Sequence, residues 1–87
     1  MFHVEITDAA KAEIEKKLEE YLQQRLYKRL KKLENAPDTF GKPLHWPLSG
    51  IWEFYFENRW RVLYEIDFNN KIVFVVGFKH KDEMQKR

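Results

Sequence analysis

The chain contains no cysteine, which excludes disulfides, iron–sulfur clusters and thiolate zinc sites. Glycine and proline are scarce, three of each, and all three prolines and two of the glycines fall between Pro37 and Gly50. No long apolar run exists: the longest, Ile72 to Val76, is far short of the roughly 20 residues a membrane span needs. A strong charge of one sign is also missing. Sixteen basic side chains against fourteen acidic ones leave a net charge of +2, too little by itself to imply a nucleic-acid partner. The N-terminus has neither the basic flank nor the leucine-rich stretch of a signal peptide. The expectation is a soluble, cytoplasmic protein without a membrane partner, a single domain over residues 1–87, free of repeats and low-complexity tracts.

What the chain has in quantity is aromatic residues: seven Phe, four Tyr and three Trp in 87 positions, a composition that excludes disorder. Phe2, Val4 and Ile6 alternate with His3, Glu5 and Thr7, the period of a half-buried strand. Thr7 or Asp8 then offers a helix N-cap. From Ala10 the period changes, with Ile14, Leu18, Leu22, Leu26 and Leu30 recurring every fourth residue, as on one face of a helix. An unbroken helix from Ala9 to Asn35 would be about 40 Å long, too long for so small a domain. The reading is a helical hairpin broken between Glu19 and Leu22, ending before Pro37. Residues 37–50 read as a loop, and 51–57, 60–67 and 72–78 as strands joined by turns at Asn58-Arg59 and Asn69-Asn70. The predicted class is α+β, in the order β-α-α-β-β-β, with the helical hairpin packed on a small, mostly antiparallel sheet.

Charge is unevenly spread along the helices. Residues 8–20 carry three basic and five acidic side chains; residues 21–33 carry Arg25, Lys28, Arg29, Lys31 and Lys32 and no acid. This stretch is either a solvated helix face or a phosphate-binding surface. The three histidines, His3, His45 and His80, are scattered and have no carboxylate at metal-ligand spacing, so no metal site is expected. Phosphate-loop and nucleophile-elbow motifs are missing. A second group of cations, Arg59, Arg61, Lys79, His80 and Lys81, clusters near the strand ends. Arg61 lies inside a strand, where it needs a partner: either Glu53, Glu57 or Glu65, or a phosphate held by a fixed guanidinium. An even-numbered hairpin loop puts Arg61 opposite Phe56, sharing a face with Trp52 and Phe54. An odd loop brings Glu53, Tyr55 and Glu57 to its side instead. The even register is the expectation.

The segments Gly41-Lys42-Pro43-Leu44, Leu48-Ser49-Gly50-Ile51-Trp52 and Trp60-Arg61-Val62-Leu63-Tyr64-Glu65-Ile66, together with the ending at His80-Lys81, resemble the RelE/ParE toxin superfamily, within it the RelE and YoeB branches. The resemblance covers essentially the whole chain. It implies the toxin of a type II toxin–antitoxin system, partnered by a cognate antitoxin seated in an apolar groove between helices and sheet. It further implies a ribosome-dependent mRNA endonuclease that inhibits translation by 2′-OH attack without metal or other cofactor. The ParE branch implies inhibition of DNA gyrase instead, and a catalytically degenerate interaction module is a further alternative. Carried over by position, Arg61 is the phosphate-stabilising residue, Lys81 falls at a second catalytic arginine, and His80 at a terminal histidine acting as acid or base. Arg25, Lys28, Arg29, Lys32, Arg59 and Lys79 would then contact RNA or the ribosome. The sequence departs from the pattern at Trp52, Phe54 and Phe56, where the family carries cations, and at Lys81 or Gln85, where it carries a tyrosine. Glu53 and Glu57 are the candidates for a missing general base.

Overall fold

The computed structural model describes residues 1–84. Strand β1 (His3–Ile6) leads into helix α1 (Asp8–Lys17), α2 (Glu20–Leu30) and a 3-10 turn at Lys31–Glu34. A short helix α3 (Pro37–Phe40), a two-residue strand β2 (Lys42–Pro43), strands β3 (Trp52–Phe56), β4 (Trp60–Asp67) and β5 (Ile72–His80) and a 3-10 turn at Lys81–Met84 follow. The five strands form one sheet in the order β1-β5-β4-β3-β2, in which only the β1–β5 pair is parallel. The class and order match the sequence reading. The segment 37–50, read as loop throughout, adds α3 and β2. Pro37 starts α3 because its fixed φ suits the first helical position, where no N–H is needed.

Thr7 caps α1, its hydroxyl accepting the Ala10 N–H at 3.2 Å while donating to the Val75 carbonyl at 3.1 Å. The helical break falls at Leu18-Glu19, earlier than expected and without glycine or proline. Both residues take extended backbone (ψ 139° and 160°), and the Gln23 side-chain amide donates to the freed Leu18 carbonyl at 2.9 Å. Leu18 is thereby turned into the core with Ile14, Leu26, Leu30 and Leu33. These pack on Phe54, Phe56, Val62, Tyr64, Val73, Val75 and Phe78 of the sheet. Burying each such side chain contributes about 1.5–3 kcal/mol.

β5 runs on past the end of β1, and α1 covers the edge it leaves open. Glu13 accepts the Phe78 N–H at 3.1 Å, and Lys17, one turn later, donates to the Phe78 carbonyl at 3.2 Å. An acid and a base one helical turn apart thus supply the acceptor and donor that a neighbouring strand would.

Candidate functional site

The β3–β4 hairpin decides what surrounds Arg61. Phe56 pairs with Trp60, leaving Glu57, Asn58 and Arg59 as a three-residue loop. Glu57 and Asn58 both take left-handed backbone, φ 58° and 54°. Asparagine tolerates that region and glutamate does so at about 1–2 kcal/mol. Arg61 therefore lies opposite Tyr55 rather than Phe56, and the expected even register is corrected to the odd one. Trp52, Phe54 and Phe56 turn to the opposite, helix-covered face, where Trp52 stacks on Tyr64 and Phe40 meets Phe54 edge-on. The face Arg61 occupies carries Glu53 and Tyr55 on β3 and Lys79 opposite on β5.

Arg61 Nη1 donates to Glu53 Oε1 at 2.8 Å, and the two side chains are only 16% and 6% exposed. The guanidinium also lies over the Tyr55 ring, 5.4 Å from its centroid. Its Nε is buried and has no acceptor among the described residues. Arg61 thus has an internal counter-ion and unspent donors at once. Glu53 sits directly across from Lys42 on β2, a pairing made possible by Gly41. A Cβ at Gly41 would collide with the Tyr64 hydroxyl and the Glu53 carbonyl. That Tyr64 hydroxyl donates to the Pro37 carbonyl at 2.7 Å, and burial pushes its pKa up to about 12.

An open cleft of about 410 Å³ adjoins the pair, lined by Arg29, Phe40, Gly41, Lys42, Glu53, Phe54 and Tyr55. Arg29 forms its wall, its guanidinium 5.5 Å from the Phe40 and Phe54 ring centroids. A second cavity of about 210 Å³ follows, lined by Arg25, Lys28, Arg29, Lys32, Phe56 and Glu57. Four predicted RNA contacts, Arg25, Lys28, Arg29 and Lys32, are therefore gathered on one side of the molecule. Arg25 is paired with Glu57 at 2.6 Å.

Of the remaining predicted residues, Lys79 sits across the ladder from Arg61 and the others lie elsewhere. His80 pairs with Trp60 across the ladder, on the face opposite Arg61, and its ring meets the Trp60 ring edge-on at 5.3 Å. Its Nδ1 accepts the Asp82 N–H at 3.2 Å, and its own N–H donates to Glu83 at 2.7 Å. Lys79 is drawn toward α1 by an ion pair with Glu13. Burial raises the Glu13 pKa, but hydrogen bonds from Lys79 and the Phe78 N–H outweigh it and hold the carboxyl below the usual range. Lys81 is exposed, its backbone N–H donating to the Arg59 carbonyl at 2.9 Å, and Arg59 is exposed in the hairpin loop. Gln85 lies outside the described residues. Among those described, no three His, Asp or Glu side chains could together hold a metal ion, and no helix is long and apolar enough to cross a membrane. Phe40 had no place in the sequence reading, and Lys42 entered it only within the Gly41–Leu44 segment; Tyr55 entered it with the odd register, the one the structure adopts.

The profile of the ParE toxin of type II toxin–antitoxin systems, parDE, matches residues 4–85. The chain belongs to the ParE toxin family. Solved structures agree with that membership. This ParE-family toxin is similar to a chain of the toxin–antitoxin complex RelBE2 from Mycobacterium tuberculosis, with TM-score 0.83 and 25% identity over 92% of this chain and 98% of that one. It shares the fold of the YoeB/ParE toxin from Agrobacterium tumefaciens (TM-score 0.74, 13% identity, 91% and 98% covered). The isolated E. coli RelE toxin has it too (TM-score 0.72, 18% identity, 92% and 84% covered). Among curated proteins, none matches this toxin by sequence.

Proposed function

We propose that this toxin cleaves ribosome-bound mRNA without a metal, and that Arg61 and Glu53 do the chemistry. The observation that carries the reading is their contact at 2.8 Å: a carboxylate and a fixed guanidinium side by side at the edge of a cleft. Glu53 would take the proton from a ribose 2′-OH as the oxygen attacks the neighbouring phosphorus. Arg61 would release Glu53 and turn its donors to the phosphate oxygens, where negative charge accumulates in the transition state. The 5′-oxygen then leaves with a proton, which Lys81, exposed beyond β5 and joined by its backbone to Arg59 of the hairpin loop, would give. Arg25, Lys28, Arg29 and Lys32 would position the toxin on rRNA phosphates by salt-dependent contacts. The cognate antitoxin would use the apolar groove of about 200 Å³ lined by Val4, Ile6, Tyr27 and Leu30.

A ParE-like action on DNA gyrase is favoured by one observation: His80 lies on the opposite face from Arg61, so the site lacks a histidine proton donor. Purified toxin incubated with programmed ribosomes, beside a gyrase supercoiling assay, separates the two. Cuts mapped by primer extension within the ribosomal A site, with supercoiling unaffected, are the expected result. Intact mRNA with inhibited supercoiling replaces the nuclease with the gyrase reading.

A further inference from the structure

The aromatic side chains of β3 leave little ring surface for a ligand. Phe54 and Phe56 are 7% and 1% exposed, Trp52 packs against the core, and the Arg61 guanidinium lies over the Tyr55 ring. The most exposed aromatic side chain among the described residues lies instead in the loop between β2 and β3: Trp46, at 84%, with Leu48 two residues on at 43%. This loop is braced. The Leu44 N–H donates to the Ile51 carbonyl at 2.9 Å, the Leu48 N–H to the His45 carbonyl at 2.8 Å, and the Ile51 N–H to the Leu48 carbonyl at 3.1 Å. Gly50 supplies the left-handed backbone, φ 95°, that returns the chain to β3. A ring displayed on a braced loop loses little freedom when it is covered. From Pro43 to Trp52 the sequence has no acidic side chain, so nothing within the loop repels a phosphate backbone. Lys42 precedes it, exposed and directly across from Glu53, whose carboxylate holds Arg61. Trp46 is four residues from Lys42, a span of no more than about 14 Å even in an extended chain.

We infer that Trp46 stacks on a base of the single-stranded RNA whose phosphate Arg61 receives, with Lys42 on the strand's backbone between them. The inference rests on the nuclease reading for the course of the strand past Arg61. Two features favour a base over a protein or a lipid surface as the occupant. The first is size. A covered indole buries about 150–250 Å², the scale of one stacked base and far below the roughly 800 Å² that each partner gives to a standard protein interface. The second is charge. A cation beside an exposed aromatic ring is the pairing that holds single-stranded nucleic acid, the cation on the backbone and the ring on the base. The loop carries no further basic side chain between Pro43 and Trp52, so it lacks the polybasic face that draws a helix or loop to anionic lipid. Because every base has a π-face, the contact positions the strand for attack without fixing its sequence, and purines gain more from it than pyrimidines.

The test uses the intact toxin and hexa-adenylate carrying 2-aminopurine, followed by fluorescence and anisotropy, beside an abasic ribose-phosphate hexamer of the same charge. Wild-type toxin should bind the hexamer with bases more tightly than the abasic one and should quench the 2-aminopurine. Trp46→Ala should weaken binding by roughly 5- to 150-fold, the loss of one stacked base, and abolish the quench. Trp46→Tyr should restore most of both. The ring is exposed, so Trp46→Ala should unfold in urea at the wild-type midpoint. On programmed ribosomes Trp46→Ala should raise KM and leave kcat nearly unchanged. Intact mRNA together with a quench that depends on Trp46 removes the nuclease reading and upholds the stacking. Equal binding of the two hexamers, binding of neither, a quench that survives Trp46→Ala, or failure of Trp46→Tyr to rescue overturns the inference.

Discussion

Replacing Arg61 by methionine tests the ion pair most sharply, because its two ends differ in burial. Glu53 is 6% exposed at the side chain and Arg61 16%. Arg61→Met strands a carboxylate almost wholly out of water, and breaking a buried pair in this way costs about 3–5 kcal/mol. Glu53→Gln is milder, since the amide oxygen still accepts from Nη1 and the remaining charge reaches some solvent; the loss should be about 1.5–3 kcal/mol, that of a hydrogen bond to a charged group. With both changes made, no buried charge is left, so the double variant should recover part of the Arg61→Met loss. That requires a coupling larger than the Glu53→Gln loss, about 3 kcal/mol. A domain of 87 residues has roughly 4–13 kcal/mol of stability in all, so Arg61→Met leaves a thin margin. Urea unfolding followed by tryptophan fluorescence reads these differences as midpoint shifts at constant slope. An Arg61→Met loss under about 1 kcal/mol, or additive single variants, would refute the pairing. The cycle also governs how toxicity is read, because an Arg61 variant that loses activity has lost stability too. Arg61→Lys keeps a cation beside Glu53 and is the fairer functional control.

Gly41→Ala should destabilise by about 1–3 kcal/mol in urea unfolding although its φ of −111° suits any residue, because the added Cβ meets the Tyr64 hydroxyl and a backbone carbonyl; an unchanged midpoint would deny that close approach. Tyr64→Phe should cost about 1–3 kcal/mol at neutral pH by unpairing the Pro37 carbonyl. Because the Tyr64 pKa is raised from 10 to about 12, its contribution is complete below pH 10 and lost as pH rises toward 12. The variant should therefore lose less stability over that interval than the wild type, and parallel pH profiles would contradict the assignment. Glu13 is lowered below 4.5, so its contribution is present above that value and fades as pH falls through the folded pKa. Glu13→Gln should flatten the acid limb of a thermal-melt series, and an acid limb identical to wild type would remove Glu13 from the edge-covering role.

The helices were legible because Ile14, Leu18, Leu26 and Leu30 repeat at the helical period and all reach the core. Their break was misplaced because its cause is a side chain five residues on: Gln23 satisfying the Leu18 carbonyl leaves no local mark in the composition. β2 was invisible for a similar reason. Two residues, one of them proline, make no pattern, and the strand forms where Gly41 lets the chain approach Tyr64. At the site, Arg61 could be singled out as a charge inside a strand, and Glu53 stood among three possible partners. Choosing between them required the hairpin register, which turns on Glu57 and Asn58 both adopting left-handed backbone. Glutamate gives no hint of that. The same slip of one residue moved Trp52, Phe54 and Phe56 from Arg61's face to the helix-covered one, while the separate β4–β5 register, which pairs His80 with Trp60, puts His80 on the far face from Arg61. Arg29 was read as an RNA contact from its place in a basic run; its setting between Phe40 and Phe54 is a tertiary fact.

The most direct measurement is the chemistry of the cut ends. Attack by a 2′-OH on the adjacent phosphate leaves a 2′,3′-cyclic phosphate on one fragment and a 5′-hydroxyl on the other. Mass spectrometry of mRNA treated with toxin on programmed ribosomes should find both ends with wild-type protein. Folded Glu53→Gln should give ends of the same kind at a rate lower by roughly two orders of magnitude or more, the contribution of a general base. A 3′-hydroxyl with a 5′-phosphate, or full-rate cleavage by folded Glu53→Gln, would contradict the roles given to Arg61 and Glu53.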